Sequence, residues 1–174
     1  MNDIRYPIGK FQAKETITNE ERTAMIQHIA DCPRNLKQAV AGFTAEQFNT
    51  PYREGGWTVK QVVHHLPDSH MNAYIRFKLA LTESEPLIKT YHEEIWATLY
   101  DATNAPVEAS IQLLESLHTR WAMLLKSLAP ADFQKTFRHP ESGIKQLDFL
   151  VQLYSWHSRH HVAHITALRE RMGW

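Results

Sequence analysis

Along four stretches of this chain apolar residues return every three or four positions, a spacing that becomes a continuous face only on a helix. The first stretch opens at Thr18 with Glu21, a capping-box pattern, and carries Met25, Ile26 and Ile29 up to Pro33. Pro33 predicts an interruption, with Arg34 to Phe43 continuing at an angle. Thr44 with Gln47 caps a short turn, and residues 51–56 form a loop. Thr58 with Gln61 then starts a long helix through Val62, Val63, Leu66, Ala73, Phe77 and Leu81. After a loop near Pro86 and a short segment at 93–100, a third helix aligns Ile111, Leu114, Trp121, Leu124 and Leu128. A brief helical turn follows Pro130, and residues 137–144, with Pro140 and Gly143, read as a loop or small hairpin. The fourth long helix runs from about Leu147 to Met172. The expected fold is all-α: a four-helix bundle with short additional helices, one domain over residues 1–174.

Charge and cysteine content narrow the function. Lysine plus arginine equals aspartate plus glutamate at 19 each, so the field that nucleic acid or an anionic membrane surface requires is missing. Cys32 is the only cysteine, which removes internal disulfides and multi-thiolate metal sites and fits a reducing compartment. It reads as a small buried apolar residue. Residues 1–10 lack the basic-then-apolar pattern of a signal peptide, and no apolar run approaches a membrane span, so the expected location is cytoplasmic.

Seven of the eleven histidines fall in two clusters: His64, His65 and His70, then His157, His160, His161 and His164. On the last helix Leu150, Tyr154, His157, His161, His164 and Leu168 project within one face, while His160 points aside. His157 and His161, four residues apart, can converge on a point off the helix. Burying that pair without a partner loses hydration, and protonating both puts like charges side by side; a divalent cation answers both problems. A third ligand from the other cluster would complete the set. His65 lies at the edge of its helix's apolar stripe and His64 further toward solvent, which favours His65. Three imidazoles leave a coordination position open, the arrangement of a catalytic site. The competing reading is a set of core-edge histidines satisfied by ordinary hydrogen bonds. Asp68, one turn beyond His65, is a candidate to orient a ring or accept a proton, and His164 a candidate proton shuttle; each is also compatible with a purely structural place. His70 reads as a buried hydrogen-bonded histidine, and Tyr74 and Trp156 as packing aromatics.

Several segments carry a resemblance: Tyr6 to Phe11, Gly55 to His65 (GGWTVKQVVHH), Asp68 to Asn72, Tyr74 to Leu79, and Trp156 to Thr166 (WHSRHHVAHIT). Together they resemble the YfiT branch of the DinB-like superfamily over nearly the whole chain. The resemblance implies a four-helix bundle with one divalent metal ion per subunit, often zinc or nickel, held by three histidines, in metal-dependent hydrolases that commonly form homodimers. The wider superfamily includes enzymes using low-molecular-weight thiols, bacillithiol transferases among them. The ligand pattern falls on His65, His157 and His161, with the His64 register as the alternative. Pro67 departs from the pattern and predicts a kink beside His65. The expected function is metal-dependent hydrolysis or thiol S-transfer on a small-molecule substrate, with a thiol as possible cosubstrate; the contrasting expectation is a non-catalytic metal-binding stress or interaction protein. Motifs of other hydrolase classes, G-x-S-x-G, H-E-x-x-H and the phosphate loop, are missing.

Overall fold

Each of the three Thr-x-x-Glu/Gln patterns starts a helix in the computed structural model, which describes residues 3–174. Thr18 caps α1 (Asn19–Ala39), Thr44 caps α2 (Ala45–Phe48) and Thr58 caps α3 (Val59–Thr82), all as reciprocal boxes. At α3 the Gln61 N–H donates to Thr58 Oγ1 over 3.2 Å, while the Thr58 N–H donates to Gln61 Oε1 over 2.9 Å. Two short helices follow, α4 (Glu93–Trp96) and α5 (Tyr100–Asn104), then the long α6 (Val107–Ser127). A 3-10 turn at Pro130–Gln134 leads into an antiparallel hairpin, β1 (Thr136–His139) with β2 (Gly143–Gln146). The last helix, α7 (Leu147–Met172), ends at Gly173, whose φ of 69° supplies the left-handed cap that other residues adopt at a cost.

The interruption expected at Pro33 is not there, and the helix around Pro67, where a kink was expected, is continuous. Helix α1 continues through Pro33 to Ala39, so Arg34 to Phe43 is not a separate piece, and α3 runs unbroken through Pro67. Both rings are buried in the bundle, and each removes a single backbone donor, leaving the carbonyl four residues earlier, on Ile29 and on Val63, without its helical partner.

Around the bundle, α1 packs against α6 and α7, and α3 packs against the same two. Consecutive long helices α1 and α3 therefore face each other across the axis, and so do α6 and α7. Such diagonal steps need long connections, which residues 40–58 and 128–146 provide. The interior is divided in two. One apolar cluster gathers Ile29, Phe77, Trp121, Leu125, Phe137 and Leu150, the other Leu36, Val63, Leu66, Leu114, Ile165 and Leu168. Between them lies a polar layer: His70 on α3, His118 on α6, Ser155 and Ser158 on α7, all buried. Among the described residues no helix is long and apolar enough to cross a membrane.

Candidate metal centre

The polar layer opens at one end into a histidine cluster drawn from α3 and α7. His65, His157 and His161 each offer a ring nitrogen within 4.8 Å of the others. The Nε2 atoms of His65 and His157 stand 3.3 Å apart, and the His161 ring lies 4.5 Å from that of His157 and 4.7 Å from that of His65. The four-residue step on α7 brings the pair to one side of the helix, and the rotation of α3 turns His65 toward them. Its neighbour His64 rotates toward α6, where its Nδ1 meets Ser110 Oγ at 2.7 Å. His64 is thus buried, contrary to its expected place near solvent, because α6 covers that face.

Burial dominates the electrostatics. It holds the His65 ring down at about 4, and pushes His70, His157 and His161 well below the ordinary histidine value, with the neighbouring rings adding to the effect. These rings are neutral at pH 7, so each carries a lone pair on one nitrogen. Two such lone pairs cannot face each other at 3.3 Å without a proton or a cation between them. That separation is at the long end of the hydrogen-bond range, and it also matches the roughly 3.3 Å between two nitrogens bound at 2.0–2.1 Å to a tetrahedral ion. The donor set, three neutral imidazoles, fits a divalent cation.

Two further groups are less suited. Cys32 sits with His70 and His118, but burial pushes its thiol up to about 12 and both rings spend their nitrogens on hydrogen bonds. His160 and His164 flank His161, yet His164 Nε2 donates to the Arg5 carbonyl over 3.0 Å and His160 stacks on Trp156, its centroid 4.2 Å away.

A cleft of about 520 Å3 leads to the cluster, lined by Arg5, Arg53, Trp57, Glu93, Glu94, His160, His161 and His164 among others. His164 stacks on Tyr52 at 4.0 Å, and its Nδ1 is buried without a partner among the described residues. Burial lowers the affinity of its ring for a proton, opposed by the bond to the Arg5 carbonyl. Asp68 does not line this cleft, and its carboxylate makes no hydrogen bond among the described residues. Burial pushes that carboxyl up to about 6, with the charge of Asp101 adding to the rise.

One buried histidine, His118, was not singled out by the sequence. His118 lies four residues after Leu114 and three before Trp121, on the apolar stripe of α6, and its ring is fully enclosed. That spacing could have marked it. His70 is the buried, hydrogen-bonded residue expected, and its partners are His118 and His157.

Residues 28–165 match the DinB superfamily. The chain is 57% identical over 174 residues, the full length of both, to a Bacillus mycoides (strain KBAB4) protein named "putative metal-dependent hydrolase". It is 56% identical, again over the full length of both, to a Bacillus cereus (strain ATCC 10987) protein of the same name. Its fold superimposes with a TM-score of 0.95, at 50% identity and over 98% of each chain, on YfiT from Bacillus subtilis, described as a probable metal-dependent hydrolase with an unusual four-helix bundle topology.

Proposed function

The chain belongs to the DinB superfamily, and from that premise we propose that it is a divalent-metal-dependent enzyme of the hydrolase kind, with His65, His157 and His161 as metal ligands. The observation that carries this reading is the pair of Nε2 atoms 3.3 Å apart, beside the His161 ring and at the end of a cleft. Zinc or nickel, one ion per subunit, is the cation proposed, since three neutral imidazoles suit either. When bound, such an ion supplies Lewis-acid activation of a carbonyl, of water or of a thiol.

The protein's own groups do the rest. Trp57 packs its ring 4.7 Å from His65 and shields that side of the cluster from water. Arg5 and Arg53 on the cleft wall, with Glu93 and Glu94, offer both signs of charge to a small polar substrate. His164, whose Nε2–H is committed to the Arg5 carbonyl, keeps its lone pair on Nδ1, which is the atom proposed to accept a proton. Asp68, with its carboxyl near 6, is proposed as a second proton acceptor near neutral pH.

Thiol S-transfer is the alternative chemistry proposed for the same centre. The cleft's mixed charges suit a zwitterionic thiol, and the buried Cys32, held at about 12, supplies no nucleophile, so the sulfur would come from a cosubstrate. The test is metal analysis of tag-free protein, alone and as His157→Ala with His161→Ala. The wild type is expected to hold about one equivalent of metal and the double variant almost none; a double variant that keeps its metal overturns the ligand assignment. Ester and amide substrates, then thiols with a model electrophile, assayed with and without chelator, separate the two chemistries.

A further inference from the structure

A run of hydrogen bonds crosses the bundle from the backbone of α1 to the candidate metal centre through three enclosed rings. His118 Nδ1 lies 2.6 Å from the Ile29 carbonyl oxygen. His118 Nε2 lies 2.7 Å from His70 Nδ1, and His70 Nε2 lies 3.0 Å from His157 Nδ1. His157 Nε2 is the atom that faces His65. The origin of the run is a consequence of Pro33. Residue 33 would ordinarily donate its N–H to the Ile29 carbonyl, and proline has none to give, so that oxygen is available to a side chain.

A carbonyl can only accept. His118 Nδ1 must therefore carry a proton and donate it, because a bare nitrogen 2.6 Å from that oxygen would set two lone pairs against each other. A neutral imidazole has one N–H, so His118 Nε2 is an acceptor and His70 must donate from Nδ1. The same step repeated makes His70 Nε2 an acceptor and His157 Nδ1 a donor. Only the Nε2 lone pair of His157 is left, and it points at the centre. His70 and His118 are shut away from water, which disfavours a second, charge-bearing proton on either ring. Aromatic rings pack around both: Trp121 stands edge-on to His70 and His118, with centroids 5.9 and 5.5 Å away, and Tyr154 edge-on to His70 at 5.2 Å.

We infer that His118 and His70 are positioning residues that carry the polarity of the Ile29 carbonyl across the bundle and fix His157 in the one neutral tautomer whose Nε2 can bind a cation. The inference rests on the three-histidine reading above. Hydrogen-bonded partners of this sort orient a ligand ring and raise its basicity, and losing one typically weakens metal binding 10- to 100-fold.

Two measurements test it. In metal-free protein with 15N-labelled histidine, long-range proton–nitrogen NMR at neutral pH is expected to show His118, His70 and His157 all protonated on Nδ1; a proton on Nε2 of His70 or His157 overturns the inference. The second measurement is zinc affinity by chelator competition for wild type, His118→Gln and His118→Leu. A glutamine amide can donate to Ile29 while its oxygen accepts from His70, which keeps the direction of the run; leucine abolishes it. The leucine variant is expected to lose roughly 10- to 100-fold in zinc affinity and the glutamine variant to recover most of that loss. A leucine variant that melts cooperatively and binds zinc like the wild type overturns the positioning role. Wild type with the stated tautomers that takes up no zinc overturns the three-histidine reading instead, and the positioning role with it.

Discussion

Burial acts on Asp68 and His118 through opposite signs of charge, and the stability of the protein should record both. Asp68 is held up at about 6 against an unfolded value of 3.8, so the folded state holds the extra proton between those values and stability declines as pH rises through that window. Above it the charged, half-buried carboxylate is a fixed liability. Replacing it by asparagine is expected to stabilise the protein at pH 8 by about 1 kcal/mol, a figure discounted for the group's partial exposure, and to do little near pH 3. Urea unfolding at the two pH values checks this, and equal effects at both would remove the electrostatic account. If Asp68 accepts protons in the reaction, the same variant loses turnover while gaining stability. His118 is the reverse case. Its folded value of about 4 lies below the unfolded 6.5, so its contribution is complete above pH 6.5 and is lost as pH falls toward 4, by up to about 3 kcal/mol. Metal-stripped protein should therefore lose stability across that interval, and His118→Gln, which cannot titrate, should flatten the slope. Neither value was legible beforehand, since both depend on which helix covers the group. His64 makes the same point: adjacent to His65 in sequence, it is turned by one helical step into a different interface.

Helix α3 carries His65 six residues beyond its start, and its first turn is secured by the reciprocal bonds of Thr58 and Gln61. Thr58→Ala removes the hydroxyl that accepts the Gln61 N–H and is expected to cost about 1 kcal/mol in denaturant unfolding, with the m-value unchanged; no loss would mean that solvent replaces the cap at no cost. Such starts were readable because capping is local: the side chain and the backbone it satisfies lie three residues apart. The span of α7 was readable for a similar reason, its repeat holding from Leu147 to the αL glycine at 173. What sequence could not convey is the fate of Pro33 and Pro67. A proline's local effect is to withhold one donor and crowd the preceding turn; whether the helix then breaks depends on packing from distant elements. Here both rings are buried among other helices, and the carbonyl freed by Pro33 is taken up by His118 from α6, a partner 89 residues away in sequence. The proline read as an interruption thus becomes the point where α1 is joined to α6.

The division of the interior into two apolar clusters with a histidine layer between them sets how the molecule should respond to metal removal. In a small zinc-dependent fold the ion supplies the folding energy outright, and the apo chain is unfolded. Here each cluster closes on its own side of the layer, with Phe77 and Trp121 fully buried in one and Leu36, Val63 and Leu114 in the other. Fully burying a single large apolar side chain is worth roughly 1.5–3 kcal/mol, so two such clusters hold the helices together without help from the layer. The layer is also satisfied internally from Ile29 to His157, which leaves the His65–His157 contact as the place where an ion matters. Chelation is therefore expected to leave a cooperatively melting protein with unchanged helical circular dichroism. Its stability should fall by the binding linkage alone, about 2.7 kcal/mol when the ion had been present at a hundredfold excess over its dissociation constant. Calorimetry with zinc added back at graded concentrations checks the linkage, because Tm should rise logarithmically with free zinc. A chain that loses its helical signal on chelation would show that the layer, and not the flanking clusters, holds the bundle; a Tm indifferent to zinc would remove the ion from the His65–His157 gap. The diagonal arrangement of α1 and α3 favours a bundle that survives chelation, since both contribute to each cluster while meeting through α6 and α7, so loss of one contact between α3 and α7 leaves every helix with another neighbour.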